Sequence, residues 1–183
     1  SKRVAALRAD QNPSWVVPAL PSANLSEPLR FLVFGDTGHK SSHLRATQKR
    51  ADELTTSKSL LGILLLGDNL SGKILPFDEV MESRFIKPFK HLRKRSAPFF
   101  AILGNHDTNV RAWAAGEMQS PLLGMEGRNY YSRTFGNGLA TIFFLCSEGF
   151  WANPDQMAWF MHELAACRST WRVVCFHQPL WGG

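Results

Sequence analysis

The chain has 183 residues, of which 44% are hydrophobic and 20% charged, and its formal net charge is +6. This length supports one domain with a core of its own, and no apolar run approaches the roughly 20 residues that a bilayer-spanning helix needs. The positive charge favours anionic partners. The basic residues concentrate at 45–50 and 91–95, where they are more typical of solvated faces than of a nucleic-acid-binding stripe.

The chain order predicts a lead-in segment followed by alternating strands and helices. Residues 1–28 contain four prolines and are expected to be extended, whereas 29–183 are expected to form one domain. Apolar runs predict strands at 29–34, 60–66 and 99–103. Helical periodicity predicts helices at 42–57, 77–87 and 110–118. This alternation indicates an α/β sheet whose strands share one functional edge.

The last third of the chain has a different pattern. Two strand-like runs at 130–135 and 139–146 flank Gly136-Asn137-Gly138, which predicts a β-hairpin. An amphipathic helix at 154–167 and a strand at 171–176 follow. The three cysteines have no C-x-x-C spacing, so neither a zinc knuckle nor a disulfide framework is indicated.

Polar residues follow four of the predicted strands directly. In chain order they are Asp36, Asp68, the tripeptide Asn105-His106-Asp107, and His177. Because the carboxyl ends of parallel strands meet at one edge of a sheet, these side chains are expected to converge on one cleft. Carboxylate, amide and imidazole groups are suited to divalent metals. A single Gly-Asp is a common turn, but the ordered set is specific.

These residues resemble the signature of the calcineurin-like metallophosphoesterases, and the purple-acid-phosphatase-like branch in particular. The matching segments are Gly35-Asp36-Thr37-Gly38, Gly67-Asp68-Asn69, Gly104-Asn105-His106-Asp107 and, less closely, Phe176-His177-Gln178-Pro179. The resemblance implies the family's α/β fold, an αββα sandwich of two sheets between helices, represented here by its N-terminal two thirds.

Two departures from the family pattern bear on function. The closing Gly-His-x-His block is absent from the 183 residues, so the domain is expected to be truncated at its C-terminus. Ser71 stands where the purple enzymes carry an iron-ligating tyrosine, so the protein is not expected to be purple.

The resemblance implies two divalent or trivalent metal ions, namely iron, manganese or zinc, and a water that they activate to attack phosphorus. It implies these ligands: Asp36 for the first metal, Asp68 as the bridge, and Asn105 and His177 for the second. His106 would act as the acid and phosphate ligand, and Asp107 would keep it protonated and oriented. His39 is left open between a group approaching the metals or substrate and an exposed loop histidine.

The sequence therefore favours a metal-dependent phosphomonoesterase similar to the acid phosphatases. A phosphodiesterase with the same site, or an incomplete fragment or binding module that lacks the last metal ligands, remains an alternative. The expected partners are a phosphate-ester substrate and the missing C-terminal segment, supplied as a second chain. No nucleic-acid or membrane signal is present, and the resemblance favours a secreted or periplasmic location without fixing it.

Overall fold

The computed structural model describes residues 28–149 and 153–179. The predicted lead-in 1–28 therefore lies, except for Pro28, outside the described residues. Phe150 and Trp151 lie outside them too. Within the part that is described, no helix is both long and apolar enough to cross a membrane.

Two three-stranded sheets form the centre of the fold. The first sheet is parallel and contains β1 (Phe31–Phe34), β2 (Gly62–Leu66) and β3 (Phe99–Ile102). The second contains β4 (Tyr131–Phe135), β5 (Ala140–Phe144) and β6 (Trp171–Cys175). Here β4 and β5 are antiparallel, which confirms the predicted hairpin, and β6 pairs with β5 in parallel. Asn137 in the turn has φ 52°, in the left-handed region that short hairpin turns require.

Five α-helices connect and cover the strands in the described part of the chain. They are α1 (Ser42–Thr55), α2 (Phe77–Met81), α3 (Asn105–Thr108), α4 (Arg111–Gln119) and α5 (Pro154–Ala166). Ser41 caps α1, since its hydroxyl oxygen accepts a hydrogen bond from the Leu44 amide at 2.9 Å. The predicted helix 77–87 is only partly α-helical, because a π-helical turn at Glu82–Ile86 continues α2.

The two sheets pack face to face between helical layers, which confirms the predicted α/β sandwich. Three aromatic pairs link the layers, with ring-centroid distances of 5.1 Å for Phe85–Phe99, 4.9 Å for Phe31–Phe135 and 5.5 Å for Phe143–Phe160. The first pair joins the π-helical turn to β3, the second joins the sheets, and the third joins β5 to α5. This burial of aromatic surface supplies much of the driving force for folding.

Candidate metal centre

The loops that follow four strands bring the predicted ligands together. One ligand atom from each of Asp36, Asp68 and His177 can be chosen so that all three lie within 4.8 Å of one another. Asn105 lies beside them, with its Oδ1 atom 3.2 Å from Nε2 of His177. Three of these residues follow strands of the first sheet, whereas His177 follows β6 of the second. The cluster therefore lies where the two sheets meet.

The backbone at this cluster is held in conformations that side-chain-bearing residues seldom adopt. Asp36 has φ 56° and Asp68 has φ 53°, both in the left-handed region. Such uncommon backbone conformations occur often at functional sites, where the surrounding structure holds them in place. The neighbouring glycines, Gly67 and Gly104, allow the side chain of His177 and the backbone of Asp68 to approach closely. A Cβ atom on Gly67 would lie 2.7 Å from Nδ1 of His177, and one on Gly104 would lie 2.5 Å from the Asp68 amide nitrogen.

The hydrogen bonds of His177 direct one ring nitrogen into the cluster. Its Nδ1 atom lies 2.8 Å from the carbonyl oxygen of Leu66, which can only accept, so Nδ1 donates. In the neutral ring Nε2 then carries a lone pair and faces Asp68 Oδ1 at 3.4 Å and Asn105 Oδ1 at 3.2 Å. With the ring in that form, one nitrogen and two oxygen acceptors converge. A metal cation suits this donor set, so the residues fit the implied metal.

His106 lies on the open side of the cluster. Its amide donates to Asp68 Oδ1 at 2.9 Å, and its ring Nε2 lies 3.8 Å from Asp68 Oδ2. The side chain is 46% exposed, so the ring can reach a bound molecule. His39, whose role the sequence left open, is exposed and places its ring edge-on to that of His106, with 5.6 Å between centroids. The structure thus brings His39 to His106, beside the ligand group.

Asp107 makes its side-chain hydrogen bonds with backbone amides. Its side chain is fully buried, and its carboxylate accepts from the amides of Leu70 at 2.8 Å, Gly104 at 2.8 Å and Asn69 at 3.2 Å. Asp107 therefore ties the loop after β2 to the start of α3. Its expected role in keeping His106 protonated and oriented stays a prediction. Residues 105–107 open a short helix, and this carboxylate caps its first turn.

Glu117 on α4 is a functional candidate that sequence reasoning missed. It is fully buried, and its Oε2 atom accepts a hydrogen bond from Asn69 Nδ2 at 2.9 Å. Asn69 directly follows Asp68 in the chain. Burial, and then the neighbouring Asp107 charge, raises the pKa of Glu117 well above its usual range. Burial likewise raises the pKa of Asp107. The sequence signal that could have identified Glu117 is its four-residue spacing from Trp113. This spacing places Glu117 and Trp113 on the same, buried helix face.

The position of the purple enzymes' tyrosine is occupied by a buried serine. Ser71 is fully buried, and its hydroxyl has no hydrogen-bond partner among the described residues. The chain's two tyrosines belong to the hairpin region. Tyr131 is buried there and donates its hydroxyl to the Ala101 carbonyl at 2.7 Å, so it is committed to the core.

Comparison with known proteins gives consistent matches. A family model described as calcineurin-like phosphoesterase matches residues 29–183. Tartrate-resistant acid phosphatase type 5 of Homo sapiens is 27% identical, covering 84% of this chain and 57% of that protein. The Sus scrofa enzyme is 28% identical with 84% and 54% covered, and the Mus musculus enzyme is 26% identical with 92% and 64% covered. This chain thus spans little more than half the length of these relatives.

A solved structure shares the fold. It is described as GAP50, the anchor in the inner membrane complex of Plasmodium, and it superposes with a TM-score of 0.69 at 16% identity. The superposition covers 84% of this chain and 56% of that one.

Proposed function

Because the chain belongs to the calcineurin-like phosphoesterase family, we propose that it hydrolyses phosphoric monoesters with two metal ions held by Asp36, Asp68, Asn105 and His177. The observation that carries this proposal is the convergence of Asp36, Asp68 and His177 ligand atoms within 4.8 Å. Similarity to proteins named acid phosphatases supports the choice of a monoester over a diester as substrate.

Asp68 is the best candidate for the carboxylate shared by both metals. It is buried, with 4% of its surface exposed, and it lies in the group with Asp36 while facing the imidazole of His177. When bound, a metal pair neutralises phosphate oxygens and lowers the pKa of a bound water. The ligand set combines oxygen and imidazole donors, which iron, manganese and zinc all accept.

His106 is the group we assign to proton transfer. Its ring stands over Asp68 at the exposed mouth of the cluster, where the ester's leaving oxygen would lie. An imidazolium in that position can protonate the departing alkoxide, which would otherwise be a poor leaving group. The hydrogen bond from the His106 amide to Asp68 fixes the main chain below the ring. The adjacent His39 ring limits the directions that the His106 ring can take.

The test compares p-nitrophenyl phosphate with bis(p-nitrophenyl) phosphate as substrates of the full-length, metal-loaded protein. We expect hydrolysis of the monoester and two metals bound per chain. The His106→Ala variant should lower kcat about a hundredfold or more while keeping its metals, because His106 transfers a proton. The Asp68→Asn variant should lose metal as well as activity. His162→Ala, an exposed histidine on α5, is the control.

Three outcomes would contradict this proposal. Preference for the diester would identify a phosphodiesterase. Full metal content without turnover on either ester would favour a non-catalytic binding module, the second candidate, since a solved protein of this fold is described as an anchor. Loss of metal in His106→Ala would show that His106 is a ligand.

A further inference from the structure

A cavity of about 210 Å³ lies beside the candidate metal centre. Its walls are the loop after β1, the first turn of α1, and the π-helical turn that follows α2. This volume is several times the roughly 30 Å³ that one water molecule occupies in the liquid. We call it the basic cavity, and the lining residues that matter here are Thr37, His39, Lys40, Arg45, Arg84 and Lys87.

The basic cavity concentrates positive charge. Four of its lining residues are lysine or arginine, and no carboxylate of the described chain lines it. Lys87 has a counter-ion in Glu82, but the contact is 3.7 Å long and solvent-exposed, so it is weak. Such a concave, single-sign surface attracts anions strongly, because low-dielectric walls focus its field.

Arg84 supplies a donor that lacks an acceptor. Its Nε atom is buried and makes no hydrogen bond with the described residues. The guanidinium is held against the loop after β2, since a Cβ atom on Gly72 would lie 2.7 Å from Nη2. A buried donor without a partner is costly, and a charged one more so. Arg84 also lines the basic cavity, and phosphate matches guanidinium geometry well.

The first turn of α1 borders the same space. Ser41 and Leu44 contribute to the wall, and the helix is 14 residues long. The aligned peptide dipoles of a helix of this length place partial positive charge at its N-terminus, which adds to the charge of the side chains.

His39 connects the basic cavity to the candidate metal centre. Its ring lines the cavity and also packs against the ring of His106, the proposed proton donor. Thr37, another wall residue, directly follows the candidate ligand Asp36. The basic cavity and the candidate metal centre are therefore neighbours, with His39 and His106 between them.

We propose that the basic cavity binds a second phosphate group of the substrate, so that the preferred substrates are small bisphosphates in which one phosphate is hydrolysed and the other is retained. This inference rests on the proposed function and adds the substrate class. Lys40, Arg45, Arg84 and the helix terminus hold the retained phosphate, while His39 separates it from the reacting one.

The kinetic test uses matched substrates, 1,3-propanediol bisphosphate and 3-hydroxypropyl phosphate, with the full-length, metal-loaded protein. The kcat/KM ratio of the first to the second should fall about tenfold or more in Arg45→Gln, because a charge-assisted contact is lost. Arg50→Gln lies on the same helix outside the basic cavity, is 68% exposed and removes the same charge. It should keep the wild-type ratio. Equal ratios in both variants would overturn the inference.

A binding test separates this inference from the proposed function. In excess EDTA, where no metal can hold the ligand, calorimetry with inorganic phosphate should detect binding to wild type and to Arg50→Gln. Binding to Arg45→Gln should be about tenfold weaker. Phosphate binding with no ester hydrolysis would refute the proposed function and leave the cavity as an anion site. Ester hydrolysis by the metal-loaded protein, without any phosphate binding in EDTA, would refute phosphate binding by the basic cavity and leave the proposed function.

Discussion

Glu117 connects the core to the candidate metal centre through one side chain. Its carboxyl group holds Asn69, and the Asn69 amide group also donates to the Ile102 carbonyl at 2.8 Å. Asn69 directly follows Asp68, so this contact fixes the loop that carries the central ligand candidate. Asp107 holds the same loop through its backbone amides. Two buried acids therefore set the position of Asp68.

The raised pKa of Glu117 predicts an unusual pH dependence of stability. Folding favours its protonated form, so its contribution is fully present below its ordinary pKa of 4.5 and is lost as pH rises through the higher folded-state pKa. In the Glu117→Gln variant the side chain at position 117 is neutral at every pH. The free energy of unfolding of wild type should therefore fall relative to this variant above pH 4.5, by up to about 1.4 kcal/mol per pH unit.

Urea unfolding of wild type and Glu117→Gln at a series of pH values measures this difference. EDTA should be present throughout, so that metal binding does not contribute. Glu79→Gln, at an exposed position on α2, is the matched control. If the stability of wild type and of Glu117→Gln changed in parallel with pH, Glu117 would not be the group responsible.

The strand ends are the elements that could be predicted from the sequence most completely. Apolar runs followed by glycine and a polar residue predicted β1, β2 and β3 to within two residues, and the shared edge of parallel strands predicted that Asp36, Asp68 and Asn105 converge. The orientation of Asp107 could not be predicted in this way. It depends on which backbone amides the loop after β2 presents, and the Leu70 amide is one of those that donate to Asp107.

The close approach of α3 to the loop after β2 predicts a steric effect at Gly104. An added Cβ would meet Asp68 Oδ1 and the Asp68 amide nitrogen, and Cδ2 of His177 at 2.9 Å. We expect Gly104→Ala to displace the ligand candidates and lower metal affinity by about tenfold to a hundredfold. Gly35→Ala, at the end of β1, is the control, since its Cβ would meet only Leu66 Cβ at 4.0 Å. Metal titration of both variants is the measurement, and equal affinities would show that the loops are mobile enough to yield.

At the scale of the whole molecule, His177 joins the two sheets. It follows β6 of the second sheet, yet its ring donates to Leu66 at the end of β2 in the first. Periodicity predicted α/β structure and the existence of β6, but not the sheet to which β6 belongs. Local patterns carry no information on strand partners, and β6 pairs with β5 only through long-range packing. The sandwich itself came from the family resemblance.

The second sheet leaves an apolar strand at its edge. Within the described residues β6 pairs with β5 alone, and it exposes Trp171 by 64%, Val173 by 43% and Val174 by 38%. An edge strand with unpaired backbone groups and apolar side chains is a template for pairing with another chain. We therefore expect the 183-residue chain to self-associate in solution, with β6 as the contact.

The substitution Val173→Lys tests this expectation, because a charged side chain on an edge strand opposes pairing. We expect it to lower concentration-dependent light scattering and to leave the melting temperature nearly unchanged, since Val173 already contacts solvent. Met161→Lys on α5 is the matched control. Met161 is 58% exposed, and the change in charge is the same, but its backbone groups belong to a helix. An equal reduction by both substitutions would show that added charge, and not the sheet edge, controls association.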